Sequence, residues 1–189
     1  MIRFITSISD RAYRQAHPRT MLLLLLLFLV MSMFIFPRYA ERIVPEAGPP
    51  LLDLRFGFTA DEAYNTLDAF GEQGRAAYLE MLLVADIIYP LIYGLLLIML
   101  ASFFLRRILK PGNQLRIINL LAVDAVIFDF LENAGIAYMI SQFPLRADFA
   151  AGLTSVFNIM KWVMAGMAVV LVLVSMAVFL FSPQRRNGR

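Results

Sequence analysis

Three groups of polar residues lie inside otherwise apolar sequence, each at helical spacing. Asp86, Tyr89, Pro90 and Tyr93 are spaced i, i+3, i+4, i+7, Asp129, Glu132 and Asn133 i, i+3, i+4, and Thr154, Asn158 and Lys161 i, i+4, i+7. Such spacings put each group on one face of a helix. Carboxylates there can act as acid and base or can bind an ammonium group. Tyrosines and Trp162 can stack on a flat or cationic ligand. Small residues, Ala125 and Ala137 on the second stripe and Ala165 on the third, extend these faces. The three stripes are therefore predicted to face one another around one polar pocket. Asp86, Asp129 and Glu132 are its catalytic candidates; Tyr89, Tyr93, Asn133, Asn158, Lys161 and Trp162 are its ligand-binding candidates. Three carboxylates against one lysine leave surplus acid. The plainer alternative is a buried network of Lys161 with Glu132 or Asp129 and the amides, which would only lock the helices together. Pro90 removes one helix hydrogen bond, and with Gly94 and Ala137 it is expected to leave volume for a ligand.

The surrounding composition says what kind of helices these are. The 189 residues are 60% hydrophobic and 16% charged, with a mean hydropathy of +0.72, which excludes an ordinary soluble domain. The absence of cysteine and the single histidine, His17, exclude thiol chemistry, a Ser-His-Asp triad and a histidine or thiolate metal cluster. No metal site is expected, and no cofactor is implied. A pI near 9.4 would suit nucleic acid, but the basic residues lie beside apolar stretches, which points to a lipid bilayer and not to nucleic acid.

Four apolar stretches, 21–36, 81–105, 117–140 and 149–181, predict an all-α integral membrane protein: a four-transmembrane-helix bundle forming one membrane domain over 1–189. The spans are placed at about 20–37, 79–105, 116–140 and 150–181, with an outer loop over 38–78. The first lacks a small-x-small cleavage site and is expected to be an uncleaved anchor, not a signal peptide. Arg3, Arg11, Arg14 and Arg19 precede it; Arg106, Arg107, Lys110 and Arg116 follow the second span; Arg185, Arg186 and Arg189 follow the fourth. Together these are eleven of the 17 basic residues. Both termini are thus expected to be cytoplasmic, in a multi-pass protein of the bacterial inner membrane. On this topology Asp86, Asp129, Glu132, Asn133, Asn158 and Lys161 lie roughly 10–18 Å below the outer surface. Asp124 falls deeper and off the stripe, and Glu80 sits at the interface.

The outer loop carries its own signals. Pro45, Gly48-Pro49-Pro50 and Gly57 break its first part, and Thr59 and Glu62 have capping-box spacing. A short amphipathic helix is predicted over 60–70, ended by Gly71 and Gly74. It is either a surface helix on the bilayer or a lid over the mouth of the bundle.

The run Gly71-Glu72-Gln73-Gly74-Arg75-Ala76-Ala77-Tyr78, then Asp86-x2-Tyr89-Pro90-x2-Tyr93-Gly94 and Asp129-x2-Glu132-Asn133, resembles an uncharacterised family of small bacterial four-span membrane proteins over about residues 51–180. The resemblance implies the four-span fold and no activity. Size and acidic inner helices are also similar, distantly, to the EXPERA group with its emopamil-binding sterol isomerases, which implies a pocket for a hydrophobic amine or sterol. Those isomerases use a membrane-buried histidine; no span here contains one, and no catalytic residue is carried over. Asp124-x4-Asp129-x2-Glu132 gives one imperfect motif of the aspartate-rich membrane prenyltransferases.

Three functions compete. The first is a pocket that binds, and in the further case isomerises, a small apolar or amphipathic molecule such as a lipid. The second is proton or cation translocation, with Asp124 extending the acidic set inward. The third is an accessory subunit or assembly factor whose polar stripe meets a protein partner or a second copy of the chain. The clustering of the acids at one depth favours the first.

Overall fold

The computed structural model describes residues 2–181. Six helices follow in order: α1 (Ile2–Gln15), α2 (Pro18–Ile43), α3 (Ala60–Ala69), α4 (Gly71–Ile108), α5 (Ala122–Gln142) and α6 (Asp148–Phe181). Among the described residues there is no strand. Three of the helices, α2, α4 and α6, are long and apolar enough to cross a membrane. The chain is therefore an all-α, multi-pass membrane protein. The 21-residue α5 carries Asp124, Asp129 and Glu132 and is packed between α4 and α6.

Neighbouring long helices run antiparallel. Arg42 of α2 meets Glu80 of α4, Tyr93 of α4 meets Asp129 of α5, and Glu132 of α5 meets Lys161 of α6. One end of the bundle, the loop end, gathers residues 43, 71, 142 and 148; the other, the elbow end, gathers 18, 108 and 122. The largest apolar core lies at the loop end, where Leu51, Leu52, Phe58 and Leu67 close over Tyr78, Met81, Ile136 and Met139. Away from it the helices turn leucine, isoleucine and valine outward: Leu22, Leu26, Ile87, Leu91, Val170 and Leu173 are all exposed. An apolar surface of that extent is one solvated by lipid chains.

The structure revises several sequence boundaries. The first span is longer than its apolar stretch and runs through Pro37 to Ile43. A π-helical turn over Met31–Ile35, closed by the Phe36 N–H on the Met31 carbonyl, precedes the proline. It lets the helix continue past a residue that has no donor. The third begins later than expected, because 114–120 forms a 3-10 turn. Gly71, at φ 63°, makes the tight turn from α3 into α4, whereas Gly74 does not end a helix. It lies inside α4, where a Cβ would press on the Ile43 carbonyl. Gly94 opens no volume either, since Val126 of α5 occupies the space that a side chain there would fill.

The basic segment before α2 is helix α1. Ser9, Ala12 and Tyr13 on it and Ala16 just past its end recur at i, i+3, i+4, i+7 and are buried. The Ser9 hydroxyl donates to Asn119 Oδ1 (2.7 Å), and Asn119 Nδ2 donates to Ser102 Oγ (2.8 Å). The Tyr13 hydroxyl donates to the Arg116 carbonyl (2.8 Å) while the Arg116 guanidinium covers its ring. Of the basic flanks, the Arg3 side chain and Arg185, Arg186 and Arg189 lie outside the described residues.

Helix α3 has the capping box its sequence promised: Glu62 N–H donates to Thr59 Oγ1 and Thr59 N–H to Glu62 Oε2. The Thr59 N–H and hydroxyl, both donating to Glu62 Oε2, hold the Glu62 carboxyl below its ordinary value, the backbone bond foremost. Its Ala63, Tyr64, Thr66 and Leu67 are buried, so α3 is docked on the bundle.

Candidate functional site

Glu132 is the central residue of α5 and is fully buried. Its Oε2 is 2.5 Å from Lys161 Nζ, and its Oε1 accepts from Asn158 Nδ2 at 2.7 Å. The same two α6 residues reach into the chain before α3. Lys161 Nζ donates to the Asp53 carbonyl (3.1 Å), Asn158 Nδ2 approaches the Leu52 carbonyl (3.4 Å), and the Gly57 N–H donates to Asn158 Oδ1 (2.6 Å). Ser155 Oγ accepts from the Phe58 N–H at 2.8 Å. Asp53 itself is fixed by Tyr78 of α4, whose hydroxyl donates to Asp53 Oδ1 at 2.6 Å. The segment 51–58 therefore folds back over the bundle and uses the ion pair to satisfy its own backbone. Every member of this half of the site has a partner.

The second half is different. Asp129, one turn before Glu132, accepts from the Tyr93 hydroxyl (2.8 Å) and from Asn133 Nδ2 (3.3 Å); Asn133 Nδ2 also donates to the Asp86 carbonyl oxygen (3.2 Å). Asp86 and Asn133 are 5% and 6% exposed. No hydrogen bond from a described residue reaches the Asp86 carboxylate, and Asn133 Oδ1 is buried with no donor. This half holds acceptors in excess of donors, in a place where an unpaired acceptor costs about 1–3 kcal/mol.

Seven of the nine residues singled out in the sequence are drawn into these two halves. Tyr93 belongs to the second half. Tyr89 faces α2: its hydroxyl is 3.1 Å from Ser32 Oγ, and its ring packs on Phe28, Phe36 and Tyr93. Trp162 is a correction. It is 40% exposed on the outer face of α6 because it follows Lys161 by one residue, which turns it about 100° away from the stripe. Only the edge of the site touches it, with Lys161 Nζ 5.3 Å from its ring centroid. Of the amides that the buried-network alternative joins to Lys161, Asn158 is bonded to its partner Glu132, whereas Asn133 is bonded on the Asp86–Asp129 side. Asp124 is exposed in the first turn of α5, and Glu80 forms an exposed pair with Arg42.

Sequence reasoning missed Asp53, Tyr78 and Ser155. Tyr78 was findable, because 78, 82 and 86 share one face of α4 and all are buried. Ser155 sits three residues before Asn158. Asp53 lies in non-repeating chain, and its only sign was the apolar company of Leu51, Leu52 and Leu54. Among the described residues no three His, Cys, Asp or Glu side chains are arranged to share a metal ion.

Fold and site together define a multi-pass helical membrane protein with a divided, buried polar cluster at mid-height in the bundle. Comparison with known protein families, with curated proteins and with solved structures finds no match to the chain.

Proposed function

We propose that α5 is a fourth span, that both termini are cytoplasmic, and that the Asp86–Asp129–Asn133 side binds the protonated amine, or another donor-rich head, of a small amphipathic molecule. The observation that carries this reading is the pair of unmet acceptors, Asn133 Oδ1 and the Asp86 carboxylate, beside a second carboxylate. Lys161 does not serve them, because its ammonium is held by Glu132 and the Asp53 carbonyl. Tyr89, Tyr93, Phe28 and Phe36 flank the acceptors with rings suited to a cation or an alkyl chain. Glu132 is committed to Lys161 and works as a strut under this reading, which leaves Asp86 and Asp129 as the pair able to exchange a proton with a bound molecule.

The test compares dimethyldodecylamine with the neutral 1-dodecanol as ligands of purified protein, read as the shift in melting temperature. The amine is expected to stabilise wild type and Glu80→Gln more than the alcohol does, and to lose that excess in Asp86→Asn. Equal shifts for amine and alcohol, or an excess that survives in Asp86→Asn, would overturn the reading.

A further inference from the structure

At the elbow end the chain is strongly basic, and its basic residues are of two kinds. Arg106 and Arg116 are half-buried and hold α1 in place: Arg106 donates to the Tyr13 carbonyl (3.3 Å), and the Arg116 guanidinium lies 3.8 Å from the Tyr13 ring centroid. Arg11, Arg14, Arg19 and Lys110 are exposed, and no ion pair engages them among the described residues. Asp10 and Asp124 are the acids of this end, against seven basic residues between 11 and 116 that lie there.

The depth of this collar is set by covalent geometry. Only Ala16 and His17 separate α1 from α2, and the leucine run of α2 begins at Leu22, the fifth residue of that helix. Helix α1 is thus tied to a helix that reaches its leucines after ~6 Å of rise. Its buried face is spent on Asn119, Ala122 and their neighbours, so the polar face with Arg11 and Arg14, three residues apart, looks away from the bundle. An open hollow of about 510 Å³ lined by His17, Pro18, Arg19 and Thr20 lies at the bend between the two helices. Positive charge fixed at headgroup depth, beside a recess, complements an anionic phosphodiester.

We propose that this collar is a binding site for the headgroups of anionic phospholipids, with Arg11, Arg14 and Arg19 as the contacting side chains and α1 as the rigid arm that presents them. The site shares no residue with the carboxylate cluster, which lies at mid-height in the bundle.

The experiment uses the full chain in nanodiscs of phosphatidylcholine, with and without phosphatidylglycerol, read by melting temperature and by native mass spectrometry of retained lipid. Wild type is expected to melt higher with phosphatidylglycerol and to retain it over phosphatidylcholine, and added salt should weaken both effects. The variant R11Q/R14Q/R19Q should lose the phosphatidylglycerol-dependent shift, with retention falling roughly a hundredfold for three charges at about fivefold each. The matched variant R11K/R14K/R19K should keep both. Glycerol 3-phosphate added to phosphatidylcholine discs should give no shift, because the site recognises a headgroup presented at the membrane surface. The proposal is overturned if wild type shows no preference for phosphatidylglycerol, if the glutamine variant keeps it, or if free glycerol 3-phosphate reproduces it.

Discussion

Replacing Lys161 by Met leaves Glu132 buried at 0% side-chain exposure with its counter-charge gone. Breaking a buried pair from one side costs about 3–5 kcal/mol, because the surviving charge has neither water nor a partner. Asn158 still donates to Glu132 Oε1, which places the expected loss in the lower half of that range. Glu132→Gln alone is milder, about 1–3 kcal/mol: Lys161 keeps the Asp53 carbonyl, and a glutamine oxygen can still accept from Asn158. In the double variant no charge is stranded, so it should be more stable than Lys161→Met itself. The coupling read from the four proteins should be about 2–3 kcal/mol. Reversible unfolding in mixed micelles at neutral pH measures it. Additivity within about 0.5 kcal/mol would refute the claim that this ion pair is a closed unit.

Glycines give a second test: Gly135→Ala should cost about 1–3 kcal/mol, because the added Cβ would overlap Thr154 of α6, whereas Gly152→Ala, with nothing near it, should stabilise by about 0.5–1 kcal/mol. Since the chain has no cysteine, cysteines placed at exposed Ser7 and Glu46 report topology: an impermeant reagent applied outside intact cells should label position 46 and reach position 7 only after permeabilisation, and the reverse pattern would invert the orientation. The depressed Glu62 carboxyl, held first by the Thr59 backbone and then by its hydroxyl, makes the α3 cap a contribution present above the ordinary glutamate range and lost as pH falls through the folded value. Limited proteolysis of 44–70 should therefore accelerate on acidification toward pH 3, and the acceleration should shrink in Thr59→Ala.

Helical periodicity made the polar stripes of α4, α5 and α6 legible because each is a local repeat, and a side chain's face follows from its position number. The same rule correctly grouped Asn158 with Lys161 and failed for Trp162 only where adjacency in sequence was taken for adjacency in space. The division of the cluster was not legible. Asn133 and Asp129 are four residues apart and bond within α5, but which of its faces α5 turns to the Asp86 carbonyl and which to Lys161 depends on its rotation against α4 and α6, fixed by close approaches such as Gly94 to Val126. The role of Asp53 was hidden for a related reason, since a segment that folds back over a bundle has no period to announce it. Helix α1 was not legible because its buried face is built from serine, alanine and tyrosine, whose small apolar content hides beneath the arginines.

Helix α2 contributes no buried side chain between Pro18 and Ile35. In a bilayer its leucines are as well solvated by acyl chains as by protein, so docking this stretch gains it little. Its ties there are Ser32 and Phe28 on Tyr89, worth on the order of 1–2 kcal/mol together, and the partly buried Met31 and Ile35 against the loop-end core. Sliding this stave sideways within the membrane plane is consequently less costly than displacing α4, α5 or α6, whose buried faces hold the polar cluster. Such a movement would uncover Tyr89 and Tyr93 to the fatty-acyl phase while the folded-back segment 51–58 kept the aqueous side corked. Traffic to the unmet acceptors of Asp86 and Asn133 would then pass through a seam in the barrel wall and not through its mouth.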